Sequence, residues 1–372
     1  MNIRITACAD LHIGKTFMSY PIGIREKLVE ARLCALDNLV RIANEKNSHL
    51  FLIAGDLFDS TSVSEHLIQR TLRILQTFRG NAVLVVPGNH DHSDTAQTDL
   101  WERVKKEHSD ILFVFEKPGR YPLQEFIDLP VLIYALPCTN LHGKESLTRY
   151  VHHIKEDEEK LCIGLGHGTV LGMTPDTYGQ YFPKTTHELQ LLHADFWIIG
   201  HAHVVRPQDK QGGPEWVLFP GSPEPDGFDH LHPGSAWFLE ASEKGIYKKE
   251  TLSPGSLHFA ELSMICTENT IDDLERKLLP YNPAVTLLRI KLEGFVSKDF
   301  RENWIHFKDR LQRDFLYIEL DEKAMKNSFD KKVLDEFPEQ SFPFLLLAYF
   351  LEEKKDEELS LAYQLIQETC KQ

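Results

Sequence analysis

Five short polar motifs, each closing a hydrophobic run, constrain this 372-residue chain more than any other feature. They are Asp10-Leu11-His12, Gly55-Asp56-Leu57-Phe58-Asp59, Gly88-Asn89-His90-Asp91, Gly166-His167-Gly168 and Gly200-His201-Ala202-His203. The runs before them read as strands: Arg4 to Ala9, Leu50 to Ala54, Ala82 to Pro87, Leu161 to Leu165 and Phe196 to Ile199. Val131 to Leu136, Trp216 to Phe219 and Ala236 to Leu239 are further strand candidates. Leu28, Ala31, Ala35, Leu39 and Ile42 repeat at spacings of three and four, which predicts a helix over Ile24 to Glu45. Ser64 to Phe78 gives a second helix by the same rule. Strands alternating with helices imply an α/β core with largely parallel or mixed sheets. Loops at the carboxyl ends of such strands converge, so residues far apart in sequence can meet there.

The chemistry of the motifs follows from their donors. Aspartate, asparagine and histidine are hard or borderline ligands for divalent cations, and there are enough of them for two ions. Asp56 is the natural bridge, because each carboxylate oxygen can bind one ion. Asp10, His12 and His203 would complete one shell, and Asn89, His167 and His201 the other. Such a set fits phosphoester hydrolysis by a hydroxide between the ions, since metal binding lowers the pKa of water to about 7. His90 is the candidate general acid. Asp59 is placed to hydrogen-bond the His90 ring, and Asp91 is the second candidate for supporting the site. Taken singly, Asp-x-His is coincidence and Gly-Asp-x-x-Asp a capped turn. All five at five strand ends are not explained that way. Lys15 reads as a solvated lysine, and His92 as either a substrate contact or a solvated loop residue. His108, His142, His153 and the other histidines sit singly or in polar segments and receive no role.

A formal net charge of −15 argues against a general basic surface for nucleic acid. Divalent cations at the converging carboxylates would offset this locally. The longest apolar run, Phe342 to Leu351, is interrupted by Pro343 and falls well short of the roughly 20 residues that span a bilayer. No basic region leads into a long apolar stretch at the N-terminus, so no signal peptide is expected. The six cysteines show no Cys-x-x-Cys pairing and read as reduced thiols, which fits a cytoplasmic protein.

The segment Lys248 to Gly255 ends in a Ser-Pro-Gly break and sets the first expected boundary. Domains are expected at residues 1–255, 256–321 and 322–372. The middle one reads as a small α+β unit: strand His258 to Ile265, helix Thr270 to Leu279, strand Val285 to Leu292, helix Ser297 to Gln312, strand Phe315 to Leu320. The tail reads as two helices, Phe344 to Glu353 and Glu357 to Cys370.

The five motifs together resemble those of the calcineurin-like metallophosphoesterases. Within that family the chain looks like the SbcD-type DNA repair exonucleases, bacterial relatives of the meiotic recombination nuclease. Asp10-Leu11-His12-Ile13-Gly14, Gly55-Asp56-Leu57-Phe58-Asp59 and Pro220-Gly221-Ser222-Pro223-Glu224 carry that likeness. The resemblance implies a four-layer α/β/β/α core with a small capping domain, the metal ligands assigned above, and His90 in catalysis. It also implies Mn2+ as the preferred ion, DNA as substrate for exonuclease or endonuclease cleavage, an SMC-like coiled-coil ATPase as partner, and a homodimer. No membrane association is implied. By analogy the tail helices would dock on the partner's coiled coil.

Three other readings share parts of the pattern. Protein phosphatases of this family carry Arg directly after the second Asp of Gly-Asp-x-x-Asp, where this chain has Ser60. Small-molecule and cyclic-nucleotide phosphodiesterases share nearly all the ligands but do not need the segment after residue 255. A non-enzymatic scaffold would have lost ligands, and every expected ligand is here.

Overall fold

The computed structural model describes residues 2–372 except 95, 97, 108, 109, 153–159, 177, 208–213, 230, 231, 268, 330, 354, 371 and 372. Residues 332 and 370 are described by their backbone alone, and His108 and His153 lie outside the described residues. The chain forms two compact units, Met1–Leu257 and His258–Gln372.

Two sheets make the first unit. In one, β1 (Ile3–Cys8), β2 (Leu50–Ala54), β3 (Ala82–Val86) and β4 (Leu112–Val114) run parallel, and the antiparallel β10 (Ala236–Ser242) and β11 (Gly245–Leu252) continue the sheet beyond β1. In the other, β6 (Val131–Leu136), β7 (Leu161–His167), β8 (Phe196–Gly200) and β9 (Val217–Leu218) run parallel, with β5 (Gly119–Pro122) antiparallel at one edge. The period of two along each strand builds the layers. On β2, Leu50, Leu52 and Ala54 face the opposite sheet, where they meet Ile133, Ile163 and Ile198. Phe51 and Ile53 point the other way, into α1 (Ile22–Glu45), α2 (Glu65–Leu75) and α3 (Leu100–Lys106). On β8, Trp197 and Ile199 face the helix α5 (Thr186–Leu191). The single turn α4 (Gln124–Ile127) links the edge strand β5 to its neighbour β6. The result is the four-layer α/β/β/α core, whose central strands are buried on both faces as parallel sheets require.

The stripe Leu28, Ala31, Ala35 and Leu39 is buried as its spacing predicts, and Arg32 is buried with it. Residues 248–252, read above as the start of a break, form the second half of β11.

The second unit carries the parallel strands β12 (His258–Ile265), β13 (Thr286–Val296) and β14 (Tyr317–Asn327) in that order. The helices α6 (Thr270–Leu278) and α7 (Lys298–Asp314) share a core with them around Trp304, Leu274, Leu288 and Ile290. Residues 322–327, expected in the tail, continue β14. Beyond them, α8 (Phe342–Glu352) and α9 (Asp356–Cys370) pack around Leu347 and Leu359.

Candidate metal centre

Each motif sits where its strand delivers it. Asp10 and Asp56 lie two residues beyond β1 and β2, and Asn89 three beyond β3. His167 is the last residue of β7 rather than the first of a loop, and His201 directly follows β8. The loops are tied to each other by their backbones: Asp10 N donates to Gly55 O (3.1 Å), His12 N to Asp56 O (2.9 Å) and Ile13 N to Leu57 O (3.0 Å). Across the sheets, His201 N donates to both Asp10 carboxylate oxygens at 3.0 and 3.1 Å. His90 N donates to Asp56 Oδ1 at 2.9 Å. Two glycines make room. A Cβ on Gly55 would stand 2.2 Å from His167 Nδ1, and one on Gly88 2.1 Å from Asp56 Oδ1.

All seven candidate ligands come together, in two groups that share Asp56. In the first, His12 Nε2 and His203 Nε2 face each other at 3.3 Å, and His203 Nε2 is 4.0 Å from Asp10 Oδ1. In the second, Asn89 Oδ1 lies between His167 Nε2 (3.0 Å) and His201 Nδ1 (3.2 Å). Asp56 Oδ2 stands between the groups, 3.6 Å from His12 Nε2 and 3.3 Å from His167 Nε2. His90 is partly exposed, with its ring 4.7 Å from that of His12. Asp10-His12-His203, His12-Asp56-His90 and Asp10-Asp56-His167 are each compact enough to hold a cation.

The electrostatics fit a cation. Asp10 and Asp56 are buried side by side, and burial pushes the Asp10 carboxyl up to about 8. Burial also opposes ionisation of Asp56, but the neighbouring His167 outweighs it and holds Asp56 below its ordinary value. His167 is penalised by burial as well, and Asp56 raises it to about 9. Burial lowers His12, and it lowers His201 to about 3, which keeps both imidazoles in the neutral form that binds metals. Two ring nitrogens turned toward each other, with buried carboxylates beside them, are short of positive charge. A divalent cation would supply it.

The surroundings correct part of the sequence reading. The Asp59 carboxylate does not face His90: its Oδ1 is 3.2 Å from His12 Nδ1, off the line of a good hydrogen bond. The Asp59 backbone carbonyl faces His90 instead, 3.0 Å from Nδ1. The cause is the bridge between Ile13 and Phe58, extended by Asp59 N to Ile13 O, which lays Asp59 alongside His12. Asp91 is buried and accepts from Gly88 N (2.6 Å) and Phe58 N (3.1 Å), so it joins the second and third motifs. His92 is buried rather than solvated. Lys15 pairs with Asp226, a residue the sequence reading passed over. Asp226 Oδ2 is also 3.3 Å from the buried Arg32 guanidinium and 3.9 Å from His203 Nδ1, so it backs the ring of a candidate ligand. Such outer carboxylates orient ligating histidines. His232 Nε2 reaches His203 O at 2.9 Å, and the buried Lys184 donates to His167 O at 2.7 Å. Arg32 had a visible signal, a charge inside an apolar helical stripe. Asp226 had none, because no spacing rule links it to His203.

The family profile described as Calcineurin-like phosphoesterase matches residues 3–205. The chain belongs to the calcineurin-like phosphoesterases. Members of this family typically use divalent metal ions, and the matched region holds all the candidate ligands. Among relatives, the chain is 24% identical over 263 residues to an uncharacterized metallophosphoesterase, YhaO, of Bacillus subtilis, covering 66% of this chain and 57% of that protein. It is 24% identical to the SbcD subunit of the nuclease SbcCD from Staphylococcus saprophyticus, over 46% of this chain and 47% of that one. The corresponding subunit of Bacillus subtilis is 32% identical over 25% of this chain and 23% of that protein. The chain thus matches about half the length, or less, of these relatives. Among the described residues no helix is long and apolar enough to cross a membrane.

Proposed function

We propose that this calcineurin-like phosphoesterase is a two-metal phosphodiesterase that cleaves DNA at or near its ends. The observation that carries the proposal is the position of Asp56, whose Oδ2 stands between the His12 and His167 ring nitrogens at 3.6 and 3.3 Å. Asp10, His12, Asp56 and His203 would hold one ion, and Asp56, Asn89, His167 and His201 the other. Two bound divalent cations acidify water and neutralise charge at a phosphoryl group. The protein's residues then have separate tasks. Asp91 and the Gly88 turn fix Asn89. Asp226 and Asp59 stand behind His203 and His12. His90 protonates the leaving oxygen. Its Nδ1–H is directed at the Asp59 carbonyl, which leaves Nε2 as the atom that gives up the proton.

DNA as the substrate is supported by the two relatives that are nuclease subunits. Mn2+ as the ion, a cytoplasmic location, homodimer formation and a capping role for the second unit belong to the same reading. An ATPase partner does too, and α8 and α9 offer it a surface: Phe342, Leu345, Tyr349, Leu361 and Leu365 are exposed apolar residues there. A coiled-coil helix is a suitable occupant of such a groove.

With Mn2+, the protein should degrade linear or single-stranded DNA. His90→Ala should slow this by a factor on the order of 10² to 10⁴ while metal content is retained. Metal loss in that variant, or unchanged cleavage, would contradict the role given to His90. Hydrolysis of a chromogenic aryl phosphodiester with DNA left intact would remove DNA and keep the phosphodiesterase.

A further inference from the structure

A pocket of about 530 Å³ lies beside the metal centre in the first unit, lined by Lys117, Asn140, His142, Lys144, Tyr150 and Phe182 among others. Its volume is in the range of about 300–1,000 Å³ that suits small ligands. Two observations attach it to the reacting groups. The segment that starts its rim is pinned at both ends of the Asn89–His90 loop: Cys138 N donates to Pro87 O (2.9 Å), and Ser93 N donates to Cys138 O (3.1 Å). On the other side, the His142 ring is 5.5 Å from that of Tyr181, which in turn is 4.5 Å from the His201 ring. One aromatic ring therefore separates the pocket from a candidate metal ligand.

The lining is unlike the rest of this acidic chain. Lys117 and Lys144 stand there with Glu145, and the Glu145 carboxylate is paired with Arg149. The Arg149 guanidinium sits over the Tyr150 ring at 4.7 Å and donates to its hydroxyl at 2.6 Å, which fixes an aromatic ring that is 52% exposed. Phe182 is buried at the pocket wall. An ordered, half-exposed aromatic ring with lysines around it is the arrangement that holds nucleotides: bases stack on the ring and cations attract the phosphates. A metal site alone binds the phosphoryl group of any diester. This pocket adds a surface for a flat ring one step away.

We propose that this pocket is the subsite for the base of the nucleotide next to the scissile phosphate. Tyr150 provides the stacking face, and Lys117 and Lys144 face the adjoining phosphate. The inference rests on the phosphodiesterase reading above and names the class of group its substrate carries beside the bond that breaks. It gives substrate preference to a site outside the five motifs. It also assigns His142 to the wall between the base and the metal ligands.

The test is equilibrium binding of deoxyadenosine monophosphate and of inorganic phosphate to the full chain with Mn2+, by calorimetry. The nucleotide should bind more tightly than phosphate. Tyr150→Ala should weaken the nucleotide roughly tenfold, the scale of one base stacked on an aromatic ring. It should leave phosphate within about twofold, and Tyr150→Phe should keep most of the nucleotide affinity. Equal binding of nucleotide and phosphate by the wild type would overturn the proposal. So would unchanged nucleotide binding in Tyr150→Ala, or parallel loss of both ligands. DNA cleavage is measured separately. A protein that leaves DNA intact but loses nucleotide affinity in Tyr150→Ala refutes the DNA reading and supports the base subsite.

Discussion

The loops that carry the candidate metal-site residues and the sheet of the second unit follow opposite rules. Asp10, His12, Asp56 and His201 have φ angles of 55°, 44°, 51° and 94°, a region that side chains other than glycine rarely enter. Each such residue costs on the order of 1–3 kcal/mol. In the second unit, Gln340 is the single non-glycine residue of positive φ among those described. Two of its helices carry ordinary serine N-caps: Ser297 Oγ accepts from Phe300 N at α7 and Ser341 Oγ from Phe344 N at α8. The difference shows where the first unit's large core is used. Buried strands on two sheets hold four candidate-ligand positions in conformations that the loops would not choose alone.

That comparison can be broken by substitution. Asp10→Asn should lower turnover of a small phosphodiester by a factor on the order of 10³ or more, because a carboxylate proposed to hold a charge-neutralising cation is lost. In metal-free protein the same change should raise the unfolding free energy by about 1 kcal/mol. Burial raises the Asp10 carboxyl to about 8, so folding near neutral pH carries the cost of protonating it; the amide removes that cost, and its oxygen still accepts from His201 N. A loss of stability would mean that the site is not a functional compromise. Trp304→Ala should show the opposite pattern. Trp304 is 1% exposed, and its truncation should cost about 3–5 kcal/mol by denaturant unfolding. Small-diester turnover at temperatures where the protein remains folded should stay within about twofold; a large drop there would count against separating core from chemistry. A smaller effect is expected from Asp226→Asn, which leaves every candidate ligand in place but replaces the carboxylate behind His203 with a neutral amide. Metal affinity should fall about 10- to 100-fold. An unchanged metal titration would confine Asp226 to pairing with Arg32 and Lys15.

Much of this architecture was legible in the chain. Buried parallel strands announce themselves as short apolar runs, and five of them end in candidate metal-ligand residues. Hidden elements were those whose signal is weak for a physical reason. β4 and β5 have three and four residues, too few to establish a period. The far half of β14 runs through Asp321, Glu322 and Lys323 at the edge of a sheet, where charge is favoured and alternation is lost. At the site, residue types identified the candidate ligands, but the partners behind them depended on backbone pairing. Asp59 lies against His12 because Phe58 bridges Ile13, and that pairing follows from no spacing in the sequence. Tyr150 and His142 were unreadable for a similar reason, since a pocket is formed by segments that meet only in the folded chain.

The sharing of Asp56 between two ions is the claim on which the rest depends. Anomalous diffraction from crystals of the protein soaked in Mn2+ tests it directly. Two peaks should appear on either side of the Asp56 carboxylate, about 3.5–4 Å apart. One should sit among Asp10, His12 and His203, and the other among Asn89, His167 and His201. A single peak, or two peaks that leave Asp56 without a contact to both, would contradict the account.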